Sequence, residues 1–215
     1  MVSPMPPSQD ILKGGFPAFQ TPRPEDKAQW NARRRKLRRT LWRLLGDLPT
    51  LFTPTATLLS TEKHAGFLVE RFAFDNGVGD PVHGCTLLPT ARTEPGPAIL
   101  YHHWHAEQYD LGTRELLECV HPELGFAPGE ELVRRGYVVQ AIDAYGFGQR
   151  RFQGPAGERE VGASVEAALF KTFLWEGRTL WGMMVRDDVL SLNLLASRPQ
   201  VDPARIAAMG VSMGS

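Results

Sequence analysis

The stretch Arg205–Ser215, "RIAAMGVSMGS", decides how this chain is read. Within it, Gly210-Val211-Ser212-Met213-Gly214 fits the pattern GxSxG, and Ile206 to Val211 is a short apolar run suited to a strand that leads straight into the serine. A serine so placed sits on a sharp strand-to-helix turn in strained backbone, and the flanking glycines let neighbouring chain pass without a Cβ clash. Two small residues around a serine also arise by chance, so the weight comes from the strand in front and the helix and turn before it. Ser212 is the candidate nucleophile.

Moving back along the chain, Val161 to Ser197 carries apolar residues at helical spacing, among them Leu180, Met183, Met184, Val189, Leu192 and Leu195. One or two helices are expected there, divided near Gly177 or Gly182 and ended by Pro199 and the turn-forming "VDPAR". "YVVQAIDA" (Tyr137 to Ala144) is a nearly continuous apolar run and reads as a buried strand, followed by the glycine-rich turn "YGFGQR". Helical pieces are expected near Thr113 to Cys119 and from Pro128 to Arg135, the latter closed by Gly136. Strand, helix, strand, helix in alternation calls for a parallel sheet with crossover helices.

Farther back, Gly66–Asn76, Pro81–Thr90 and Pro97–Trp104 have strand character, and Gly77, Gly79 and Asp80 suit a tight antiparallel reversal between the first two. Trp30, Leu37, Leu41, Leu44 and Leu48 recur at steps that line one side of a helix ended by Gly46 and Pro49. Between them lies the cationic run "ARRRKLRRTLWR", which reads more simply as the solvated face of an amphipathic helix than as a nucleic-acid patch. Residues 1–24 are rich in proline and read as a tail, which leaves 25–215 as the domain.

Lys and Arg number 24 against 24 Asp and Glu, so the whole molecule has no net pull toward nucleic acid or an anionic membrane. Cys85 and Cys119 form no CxxC pair and are too few for a disulfide framework, which fits a reducing, cytoplasmic setting. There is no secretory pattern at the N-terminus and no run of 18 apolar residues. No nucleic-acid or membrane partner is expected, and oligomeric state is left open.

"ILYHHWHAEQYDLG", "RRGYVVQAIDAYGFGQR" and "GRTLWGMMVRDDVLSLNLLASRPQVDPARIAAMGVSMGS" together resemble the dienelactone hydrolase-like and acetyl-xylan-esterase-like branch of the α/β-hydrolases, in order from about Pro97 to Ser215. The resemblance implies the N-terminal portion of an α/β-hydrolase fold: a mostly parallel central sheet with an antiparallel N-terminal hairpin and flanking helices. It also implies acyl transfer without a cofactor, with Ser212 attacking the carbonyl of a small-molecule or carbohydrate-linked ester. The oxyanion would be held by the Met213 N–H and by an N–H from the loop after the third strand. Matching His103 to the family's loop histidine makes that second donor His105, or else Trp104. Trp104 departs from the family pattern, in which glycine often follows that histidine.

In that fold the triad runs Ser, then Asp or Glu, then His. All six histidines (His64, His83, His102, His103, His105 and His121) precede Ser212, as do Asp143 and Asp188. The acid and histidine are therefore expected outside this chain, which reads as the first part of a longer hydrolase with its elbow strand left at a sheet edge. By itself it is expected to be inactive and poorly stable. Asp143 is expected to order the turn at its strand end, and Asp187 and Asp188 to form a helix polar face or to pair with Arg178 or Arg186. Phe147 or Phe152 is a candidate substrate wall.

Two other readings stand beside this one. A non-catalytic binding or regulatory protein of the same fold would use the basic helix Arg33–Arg43 against an acidic partner. A metal site on His103 and His105, which point to one side of an extended chain, lacks a third ligand at a recognisable spacing, so no metal is expected.

Overall fold

The computed structural model describes residues 25–79, 81–120 and 125–215, so the expected tail, Asp80 and His121 lie outside the described residues. The chain divides into two units, Met1–Leu44 and Leu45–Ser215. In the first, helix α1 spans Lys27–Leu44. Asp26 starts it: its carboxylate accepts the Gln29 N–H at 2.7 Å and its carbonyl the Trp30 N–H at 3.0 Å. A short acceptor side chain ahead of a helix satisfies amides that have no partner within it.

The second unit holds six strands: β1 Ala56–His64, β2 Phe67–Asp75, β3 Pro81–Pro89, β4 Gly96–His102, β5 Val138–Ile142 and β6 Val201–Gly210. They form one sheet in the order β1-β2-β3-β5-β4-β6. The β1/β2, β2/β3 and β3/β5 pairs are antiparallel; β4/β5 and β4/β6 are parallel. The antiparallel part thus includes β1, a strand that carries no signal in the sequence. Its residues after Ala56 are exposed and a bulge between Leu58 and Ser60 breaks the alternation, so no apolar stripe marks it.

Helices α2 Pro128–Arg134, α3 Ala163–Trp175 and α4 Leu180–Ala196 complete the unit. The break between α3 and α4 falls at Gly177, φ +77°, and Thr179 starts α4 by accepting the Gly182 N–H at 2.9 Å. Two-residue periodicity divides the core between the sheet faces. Phe67, Val69, Val139 and Tyr101 pack with Leu116 of the 3-10 turn Gly112–Leu116 and Val133 of α2 on one face. Phe72, Phe74 and Ile142 pack with Leu190 and Leu194 of α4 on the other. Covering on both faces is why β5 reads as a nearly continuous apolar run, broken only by Gln140.

"VDPAR" does not precede β6 but lies inside it. Val201 pairs with Gly96 and Ile206 with Ala98, so residues 202–205 are looped out, held by Asp202, which accepts from the Ala204 N–H and the Arg205 guanidinium. β6 pairs only with β4 among the described residues and stands at the sheet edge. No helix among the described residues is long and apolar enough to cross a membrane.

Candidate active site

The parallel strands β5, β4 and β6 end side by side, with His102 paired to Gly210 in β4/β6 register. The order reverses here, since β5 and β6 flank β4 on opposite sides, and ligands of open α/β sheets bind beyond the strand ends at such a switch point. Three loops leave this edge: His103–Asp110, Asp143–Arg150 and the serine turn.

At the serine turn Val211 is extended (φ −128°, ψ 141°) and Ser212 is left-handed, φ +55°. That conformation costs a residue with a side chain about 1–2 kcal/mol. Ser212–Gly214 then form one 3-10 turn, closed by bonds of 3.0 Å from Gly214 N–H to Val211 and from Ser215 N–H to Ser212. A Cβ on Gly210 would collide with the Gly214 carbonyl, and one on Gly214 with the His102 carbonyl, so glycine at both positions lets the turn sit directly on β4. Ser212 is exposed, and its hydroxyl has no hydrogen-bond partner among the described residues. Neither the Met213 nor the His105 N–H has an acceptor among the described residues.

The loop after β4 is held from several sides. His103 is buried; its Nδ1 lies 2.8 Å from the Trp104 carbonyl and its Nε2 accepts the Ala144 N–H at 3.1 Å, which puts the ring hydrogen on Nδ1. The Trp104 N–H donates to the Glu115 carboxylate at 2.8 Å. Of the two amides considered for the second oxyanion donor, Trp104 is therefore taken. His105 Nε2 donates to Glu166 at 3.1 Å while its Nδ1 accepts the Glu107 N–H at 3.0 Å. With both rings engaged in this way the two histidines do not offer a joint metal site, and no group of three potential ligands is gathered among the described residues. Glu166 also accepts from the Tyr109 hydroxyl at 2.7 Å, and partial burial together with that carboxylate pushes the phenol up to about 12.

Asp143 ties the β5 loop to the β4 loop. Its oxygens accept the Thr113 N–H at 2.7 Å and the Gln149 N–H at 2.9 Å, and Gly112 and Gly148 give it room. Phe147 is not a substrate wall: it is fully buried among His103, His105 and Tyr109, stacked on Tyr109 at 5.0 Å. Phe152 instead carries the Arg151 guanidinium over its ring at 4.5 Å.

The two aspartates of α4 separate. Asp187 is buried and pairs with Arg150 at 2.9 Å, with Arg186 at 3.5 Å and Asn76 at 3.1 Å beside it. Burial raises its pKa against the pull of those neighbours. Arg178 takes no part; it pairs with Glu176. Asp188 pairs with His102 Nδ1 at 3.2 Å. Burial lowers the His102 pKa, but the hydrogen bond and charge of Asp188 outweigh it and the net shift is upward. This pair lines a cavity of about 660 Å³ under the serine turn, with Leu100, Val189, Met213 and Gly214. Glu115, Glu166 and Arg150 carried no signal in the sequence, because Trp104, His105 and Asp187, which they engage, stand at no regular spacing from them.

No protein-family model matches the chain. Among solved structures, a "putative acetyl xylan esterase" of Bacteroides fragilis superposes with a TM-score of 0.75 over 96% of this chain and 54% of its own, at 16% identity. The chain has the α/β-hydrolase fold. A methylesterase shows this α/β-hydrolase likeness at a TM-score of 0.63 and 21% identity, over 95% of this chain and 41% of its own. In sequence, the chain is 35% identical over 181 residues to the Bacillus subtilis protein named "Putative hydrolase YtaP", a match that covers 84% of this chain. The chain spans 57% of that relative's length.

Proposed function

We propose that the protein carrying this sequence is a carboxylic ester hydrolase with Ser212 as nucleophile. The observation that carries the reading is the left-handed Ser212 at the end of β6, pressed onto β4 by Gly210 and Gly214. Strain of this kind persists only where the surrounding structure enforces it, and it thrusts the hydroxyl out of the backbone's path. The Met213 amide follows the nucleophile directly, and the His105 amide belongs to the loop leaving the neighbouring strand. In this reading the two face the developing oxyanion, a term that contributes about 10²–10³ in kcat per donor in serine hydrolases.

A serine hydroxyl needs a base near neutral pH, and no histidine hydrogen-bonds Ser212 among the described residues. In this fold the acid and the histidine that serve such a serine come after it in chain order. The substrate class proposed is a small or carbohydrate-linked ester, in keeping with the esterases among the structural relatives.

The test is labelling of the whole protein with a fluorophosphonate, together with turnover of short-chain p-nitrophenyl esters. The probe is expected on the peptide holding Ser212, and Ser212→Ala is expected to abolish both signals. Undiminished turnover in that variant would overturn the reading.

A further inference from the structure

We propose that Glu115 is a positioning residue that holds the loop after β4 with one amide turned inward and the next free for catalysis; this rests on the serine-hydrolase reading above. Glu115 lies in the 3-10 turn Gly112–Leu116 and is fully buried. One carboxylate oxygen accepts the Tyr101 hydroxyl at 2.6 Å and the other accepts the Trp104 N–H at 2.8 Å. Those donors stand on either side of the end of β4, so a single carboxylate clamps the place where strand becomes loop. Burial and the adjacent carboxylate raise the Tyr101 pKa, which keeps the phenol protonated as a donor.

The Trp104 N–H is held by the buried carboxylate, whereas the next amide, His105 N–H, has no acceptor among the described residues. Beyond it the loop turns sharply: Ala106 and Glu107 are left-handed, φ +40° and +58°, and the Gln108 N–H returns to the His105 carbonyl at 2.9 Å. Two consecutive strained residues need anchors on both sides. Glu166 supplies one through the His105 ring, and Glu115 supplies the other through Trp104. The turn bearing Glu115 is itself fixed by the bond from the Thr113 N–H to Asp143, which joins this clamp to the β5 loop.

The side-chain chemistry separates the variants. A glutamine at 115 can accept the Trp104 N–H with its carbonyl and donate its amide to the Tyr101 oxygen. A leucine of similar size offers no acceptor, which leaves a buried N–H unpaired and favours a rearranged loop.

The experiment uses the whole protein and measures kcat and KM on a short-chain p-nitrophenyl ester, with Ki for a trifluoromethyl ketone as tetrahedral mimic. Glu115→Leu is expected to lower kcat by about 10-fold or more and to weaken the ketone by a similar factor, with KM little changed. Glu115→Gln is expected to stay within about 3-fold of the parent, and Tyr101→Phe, which spares the Trp104 contact, to behave likewise. Should Glu115→Leu fail to fold, Glu115→Asp decides, because its shorter arm pulls the carboxylate off the Trp104 amide and is expected to lower kcat and weaken the ketone together. A folded Leu or Asp variant with unchanged kcat and Ki overturns the proposal, as does Tyr101→Phe losing as much as Glu115→Leu. Ser212→Ala run alongside separates the two readings: if it is inactive while Glu115→Leu is fully active, only the positioning role falls.

Discussion

Gly214 rests on His102 so closely that a methyl group at 214 would overlap the His102 carbonyl. The contact joins the far side of the serine turn to the strand whose loop bears His105. Gly214→Ala must lift the turn from β4, at a cost of about 1–3 kcal/mol by the usual penalty for overpacking. Esterase turnover is expected to fall at least about 10²-fold, because displacement of reacting groups by an ångström has that effect. Urea unfolding and turnover of the whole protein check both numbers.

The strain at Ser212 gives a separate prediction. Glycine adopts φ near +55° without the side-chain clash that alanine retains. Ser212→Gly and Ser212→Ala are both expected to be inactive, yet the glycine variant should be the more stable by about 1 kcal/mol. Equal melting temperatures would show that the left-handed turn is not maintained in solution.

Arg150 and Asp187 form an ion pair with no exposure to water, and the Arg150 guanidinium also lies 3.7 Å from the centre of the Tyr145 ring. Arg150→Leu leaves a buried carboxylate short of its nearest cation and is expected to destabilise by about 3–5 kcal/mol. Replacing both partners with apolar residues should cost less than replacing Arg150 alone, since no uncompensated charge remains. Denaturant titrations of the single and double variants distinguish the two cases.

The His102–Asp188 pair makes stability depend on pH. With the folded-state His102 pKa raised above its ordinary 6.5, the pair stabilises fully below that value and loses its contribution as pH rises through the raised one. The melting-temperature difference between the parent and Asp188→Asn is therefore expected to be larger at pH 6 than at pH 9. A difference that grows with pH would contradict the assignment.

The two thiols differ in reactivity for a reason visible in their burial. Burial pushes the Cys85 thiol up to about 12, whereas Cys119 is exposed. Iodoacetamide at pH 8, read by peptide mapping, is expected to alkylate Cys119 in the folded protein and Cys85 only after denaturation.

Local chemistry determined much of this protein. The apolar run ending in GxSxG, the breaks at Gly136 and Gly177 and the nearly continuous apolar strand β5 are properties of neighbouring residues, and each is legible as written. Asp143 as the organiser of its turn was legible for the same reason, since Gly148 and Gln149 follow within six positions. Packing alone decided the rest. β1 has no buried face to leave a periodic trace, Asp187 adds the distant Arg150 to its expected helix neighbour Arg186, and Glu115 reaches the loop only because the chain folds back over the end of β4. Side chains that meet across a sheet or between loops share no spacing in the chain, so their pairing is fixed by burial and by the need of every buried polar group for a partner.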